Sequence, residues 1–84
     1  MATVNLTSEA AKQLDLLPRE MQERVRKKAR RLANWPTVTG VKKLKGNLAG
    51  WYRARVGDYR IRFRVDGETI TVDKIGHRKD VYED

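Results

Sequence analysis

The chain has no cysteine and a single histidine, His77. Disulfide staples and thiolate metal sites are therefore excluded, and a dedicated transition-metal centre is not expected. No apolar run approaches the roughly 18–20 residues of a membrane span. The first residues, MATVN, lack the basic and then apolar regions of a signal peptide. These absences lead to an expectation of a soluble, cytoplasmic protein with no membrane association and no cofactor. Acidic residues are also few, 11 against 19 Lys plus Arg, giving +8 over 84 residues. Such a balance suits a polyanionic partner, either nucleic acid or an acidic protein. The length allows one domain, residues 1–84, and a 39% hydrophobic content allows one thin core.

The charge falls in two basic blocks. One is Arg24, Arg26, Lys27, Lys28, Arg30 and Arg31; the other runs over residues 42–64, where Asp58 is the sole acid. From residue 65 onward acids outnumber bases. The first half has helical periodicity. Val4-Asn5-Leu6 reads as a short strand, Thr7 or Ser8 as an N-cap, and Ala10, Ala11, Leu14 and Leu17 as one apolar stripe. Pro18 opens a second helix, with Met21, Val25, Ala29 and Leu32 on its apolar side and Asn34-Trp35-Pro36 at its end. So short a link makes the two helices an antiparallel hairpin. The basic run on the second helix suits either a solvated face or a phosphate-contacting one.

In the second half the period becomes two. Tyr52, Ala54 and Val56 alternate with Arg53 and Arg55, and Tyr59, Ile61, Phe63 and Val65 alternate with Arg60, Arg62 and Arg64. Gly57-Asp58 and Asp66-Gly67 read as two-residue turns, with Ile70 and Val72 on a third strand. The first turn puts Arg55 opposite Arg60 and Arg53 opposite Arg62. The second puts Phe63 opposite Ile70, Ile61 opposite Val72 and Arg60 opposite Asp73. Like charges directly opposite cost up to about 1 kcal/mol per pair. Charged residues that guard an exposed sheet explain such a face in part. Four arginines, whose planar forks match phosphate oxygens, point more directly to an anion-binding surface.

The tail carries His77, Arg78 and Tyr82 within six residues. Metal-free RNA cleavage needs a base for the 2′-hydroxyl, positive groups for the phosphorane and an acid for the 5′-oxygen. Positive groups abound. Histidine is the usual acid or base near neutrality and His77 is the single one, while Tyr82 becomes useful where arginines lower its pKa. An enzyme of this kind would rely on a larger assembly to orient its substrate.

Three segments, VKKLKG at 41–46, WYRARVGDYRI at 51–61 and IGHRKDVY at 75–82, resemble the toxins of the RelE/ParE superfamily of type II toxin–antitoxin systems, best the RelE branch. The resemblance spans nearly the whole chain. It implies an α+β, RelE-like fold: a short N-terminal strand and an antiparallel helical hairpin packed on an antiparallel β-sheet. It implies a ribosome-dependent endoribonuclease that cuts mRNA in the A site and stops translation, without a metal. A RelB-like cognate antitoxin would neutralise it, and operator DNA would be met only through the antitoxin complex. By position, Arg60 and Arg78 match arginines that stabilise the reacting phosphate, and Tyr82 the tyrosine near the 2′-hydroxyl. Arg53 and Arg55 stand where the best-known members have lysines. They keep the charge but do not readily give up a proton. His77 is a reserve acid or base, and which group is acid and which is base stays open. Lys42, Lys43, Lys45, Arg62, Lys74 and Lys79, with Arg24, Lys27, Lys28 and Arg31 on the helix, are the expected contacts to RNA and ribosome. The alternatives are a ParE-like DNA gyrase inhibitor and a non-catalytic relic that binds only antitoxin or nucleic acid.

Overall fold

The computed structural model describes residues 2–81. The order of elements is β1 (Thr3–Leu6), α1 (Ser8–Asp15), α2 (Arg19–Arg31), β2 (Val41–Lys43), β3 (Trp51–Val56), β4 (Tyr59–Asp66) and β5 (Thr69–His77). Single 3-10 turns follow α2, at Leu32–Asn34, and precede β3, at Gly46–Leu48. The fold is α+β. The strands form one sheet in the order β1-β5-β4-β3-β2, and the helical hairpin covers one face of it. Among the described residues, no helix is long and apolar enough to cross a membrane.

Local chemistry sets the boundaries of the helices. The Thr7 hydroxyl accepts from the Ala10 amide, which satisfies one of the orphan donors of α1, and Glu9 lies in the first turn where the dipole favours an acid. Pro18 stands at the N-cap of α2, and basic residues fill its last turn. Between the helices, Gln22 Nε2 donates to the Asp15 and Leu17 carbonyls, closing the end of α1. Ala10 and Leu14 from α1, and Val25 from α2, meet Ala54, Val56, Ile61, Phe63, Ile70, Val72 and Ile75 from the sheet. Trp35 joins this core rather than merely ending a helix. Its ring meets Tyr52 and Phe63 edge-on at 4.8 and 5.6 Å.

The first hairpin has the expected register throughout, Ala54↔Ile61, Tyr52↔Phe63, Arg55↔Arg60 and Arg53↔Arg62. The second does not. Its turn is Gly67-Glu68, so Asp66 pairs with Thr69, and Phe63 faces Val72 rather than Ile70. Gly67 has φ +58°, the left-handed value that a glycine-first II′ turn demands. An Asp66-Gly67 turn of type I′ would have forced that conformation on Asp66 as well. A β-bulge then lies between the Arg62 and Phe63 pairings, leaving Asp73 as the extra residue. Beyond it Arg62 faces Lys74, Arg60 faces Gly76, and Tyr59 faces His77. The pairing of Arg60 with Asp73 expected from the sequence is thus replaced.

The sheet is antiparallel from β5 through β2, and β1 adds parallel to β5 over Thr3–Leu6. Past Val72, no strand lies beside the outer edge of β5 among the described residues. There α1 supplies the acceptor: Gln13 Oε1 takes the Ile75 amide at 2.7 Å.

Candidate nucleic-acid interface

Opposite the helices, one face of the sheet carries Lys42 from β2, Trp51, Arg53 and Arg55 from β3, Arg60, Arg62 and Arg64 from β4, and Lys74 from β5. Register and strand alternation put all of them on this side. The arginines meet as facing pairs, so the repulsion expected from the sequence is real. The structure shows how it is offset. Arg62 donates to both carboxylate oxygens of Asp73, from Nε at 2.9 Å and from Nη2 at 2.6 Å. That hydrogen-bonded partner, ahead of the opposing effect of burial, holds the guanidinium above its ordinary pKa. Arg60 Nη1 donates to the Gly57 and Tyr59 carbonyls at 3.0 Å each, so it clamps the β3–β4 turn. Arg53 and Arg60 are 8% and 6% exposed, while Arg55 is open to solvent. The four arginines share one face, as expected, but they differ in how far each is open to solvent. Each facing pair has at least one member engaged by its own chain, Arg60 through carbonyls of its turn and Arg62 through Asp73.

Arg78 arrives at the same place. Its amide donates to the Asp58 carbonyl at 2.8 Å, across the turn that Arg60 clamps. The backbone of Arg78 is therefore held against the same turn on which the Arg60 side chain closes. After Arg78 the chain stays anchored: Val81 is buried and its amide donates to the His77 carbonyl. Tyr82, the remaining expected site residue, lies outside the described residues.

His77 is set apart. The bulge at Asp73 reverses the alternation of β5, so Ile75 and His77 point to the helix side while Lys74 and Gly76 take the arginine side. The imidazole packs edge-on to Tyr59 with ring centroids 5.5 Å apart, and its Nδ1 accepts from the Lys79 amide. It borders a hollow with Gln13, Leu16, Leu17 and Pro18, across the sheet from the arginines. A role for His77 beside Arg60 is not supported by this placement. Lys43 also falls on the helix side, opposite Tyr52, whereas Lys45 and Lys79 are exposed in loops.

The basic helix adds a second surface. Arg24, Lys27, Lys28 and Arg31 recur at helical spacing and, with Arg55 and Gly57, line a cleft of about 290 Å³. Arg55 thereby links the helix stripe to the sheet face, a junction that the linear sequence does not reveal. Burial, and then the charge of Arg31, lower the pKa of Lys28, whose Nζ donates to the Thr39 carbonyl at 2.6 Å. Arg26 and Arg30 turn away from the cleft toward Glu23, at 3.9 and 4.0 Å. Trp51 was not singled out from the sequence as a site residue. The guanidinium carbons of Arg62 and Arg64 lie 5.2 and 5.6 Å from its ring centroid.

A family model described as the ParE toxin of the type II toxin–antitoxin system parDE matches residues 4–82. Toxin RelE3 of Methanocaldococcus jannaschii is 46% identical over 43 residues, 51% of this chain and 48% of that protein, so the match spans about half of that relative. Toxin RelG of Mycobacterium tuberculosis is 36% identical over 83 residues, 95% of this chain and 94% of the relative. Among solved structures, the toxin–antitoxin complex RelBE2 of M. tuberculosis contains a chain 32% identical to this one. That likeness covers 92% of this chain and 98% of the other, with a TM-score of 0.82.

Proposed function

The chain belongs to the ParE toxin family of type II toxin–antitoxin systems, close to its RelE branch, and from that premise we propose that it is a ribosome-dependent endoribonuclease cutting mRNA in the A site. The observation that carries the reading is the β3–β4 turn, where the Arg60 side chain closes, the backbone of Arg78 is docked, and Arg53 and Arg55 lie on the adjoining strand. A phosphate resting there would meet fixed positive charge as the phosphorane forms, without reorganisation at the moment of reaction. The 2′-oxygen attacks phosphorus, the bond to the 5′-oxygen breaks, and a 2′,3′-cyclic phosphate and a 5′-hydroxyl result. The proton leaves the 2′-hydroxyl for a base, and an acid returns one to the 5′-oxygen. Arg53 and Arg55 serve as charges, and Tyr82 is proposed to act at the 2′-hydroxyl. The cleft at Arg24, Lys27, Lys28, Arg31 and Arg55 would hold ribosomal RNA, with Lys42, Lys45, Lys74 and Lys79 as further phosphate contacts. Positive surfaces of this kind bind in a strongly salt-dependent way. A cognate antitoxin would bind the chain, by analogy with the RelBE2 complex.

Induced expression tests this reading. Wild type should arrest growth, and Arg78→Ala should relieve the arrest at equal soluble yield. A fully toxic Arg78→Ala variant would count against the site. A second reading, inhibition of DNA gyrase without RNA cleavage, draws on the description of the matching family as ParE. It predicts loss of DNA supercoiling during arrest, with mRNA left intact.

A further inference from the structure

We propose that Trp51, braced by Arg62 and Arg64, is a nucleobase-stacking platform at the far end of the arginine face. The proposal rests on the reading of that face as an RNA-binding surface and adds a subsite to it. Trp51 opens β3 directly opposite Arg64, on the same side of the sheet as Arg53 and Arg55. It is half-buried, as Trp35 is, but it stands outside the core cluster in which Trp35 packs against Tyr52 and Phe63. A large indole outside the core adds little to packing, yet two guanidinium groups sit within 5.6 Å of its centroid.

Arg62 explains the arrangement. Its fork is occupied by Asp73, which neutralises its charge and fixes its plane. As a phosphate partner Arg62 is therefore spent, and what remains is a rigid flat support over the indole. Arg64 is more open, its side chain 50% exposed and 3.3 Å from Asp66. The result is an aromatic surface of fixed orientation in a positive field. Single strands bind such surfaces by stacking bases on the ring while cations follow the backbone. From the Arg55–Arg60 pair to the Trp51–Arg64 pair is four residues along the strand, about 13 Å. RNA whose phosphate rests at Arg60 would cover that distance within a few nucleotides. The base on Trp51 is thus one that flanks the reacting bond, and the platform would favour purines, which offer the larger stacking surface.

The test uses the full chain and a short single-stranded 2′-O-methyl oligoribonucleotide, which binds but cannot be cut. Indole emission is followed during titration, with an abasic oligomer of equal length as the control. We expect quenching by the base-bearing oligomer, little by the abasic one, and loss of the quench in Trp51→Phe although Trp35 remains. Trp51→Ala should weaken binding roughly 5- to 150-fold. Equal quenching by both oligomers, no measurable binding by wild type, or undiminished binding by Trp51→Ala would each overturn the proposal. If Trp51→Ala does not fold, the Trp51→Phe and abasic comparisons decide alone. Trp51-dependent binding by a protein that cuts nothing on ribosomes overturns the nuclease reading and supports the platform. A-site cutting without Trp51-dependent binding overturns the platform only.

Discussion

Removing Asp73 should cost far more than removing an ordinary surface acid. Its carboxylate receives two charge-assisted hydrogen bonds from Arg62, and the side chains of the pair are 22% and 18% exposed. Exposed ion pairs contribute at most about 1 kcal/mol, whereas breaking a fully buried one costs about 3–5. A pair four-fifths buried, with bidentate geometry, belongs between these limits, near 2 kcal/mol. In a chain of this length that corresponds to a fall in Tm of roughly 8–16 °C. The assay is urea and thermal unfolding of wild type, Asp73→Ala, Arg62→Ala and the double variant, so that the cycle isolates the coupling. We expect a coupling of about 2 kcal/mol that mostly survives 1 M salt, because a contact pair shielded from water is screened little. A coupling below about 0.5 kcal/mol, or one abolished by salt, would refute the reasoning. It would also remove the support that Arg62 gives to Trp51.

Three further outcomes are expected from the fold. Gln13→Ala should lose about 1–2 kcal/mol in urea unfolding, since the Ile75 amide loses its acceptor on an unpaired edge, and that amide should exchange faster with solvent. Gly57→Ala should cost about 1–2 kcal/mol, because φ is +58° there and a Cβ would approach the Arg24 guanidinium at 3.3 Å. Phe63→Ala should cost about 3–5 kcal/mol by the same measurement, since the ring is fully buried between Trp35 and Tyr52.

Much of this molecule is legible in its sequence because its periods are clean. Strict alternation from Tyr52 to Val65 with Gly57-Asp58 between fixes every pairing of the first hairpin. The second hairpin departs from its sequence pattern for two reasons. Asp66-Gly67 has the composition of one turn type while Gly67-Glu68 forms another, and the bulge shows only as a three-residue step from Val72 to Ile75 in a pattern that otherwise steps by two. The bulge mattered most for function, since it alone carries His77 away from the arginines. Two short strands were also hard to judge. β2 has one apolar residue in three, and the parallel pairing of β1 with β5 joins residues more than sixty apart. The cleft lined by Arg24, Arg31 and Arg55 likewise exists only once the helix has docked on the sheet. The burial of Arg53 and Arg60 is a tertiary outcome that alternation does not foretell.

The central claim is that this arginine face catalyses A-site cleavage. It is tested most directly by primer extension on a defined mRNA in a reconstituted translation reaction, with and without ribosomes. Wild type would be compared with Arg60→Ala and Arg60→Lys, each shown to be folded, because Arg60 also clamps its turn through Gly57 and Tyr59. The account predicts cuts within A-site codons that require the ribosome, vanish in Arg60→Ala and are strongly reduced in Arg60→Lys. Undiminished cutting by a folded Arg60→Ala, or no cutting by wild type, would contradict it.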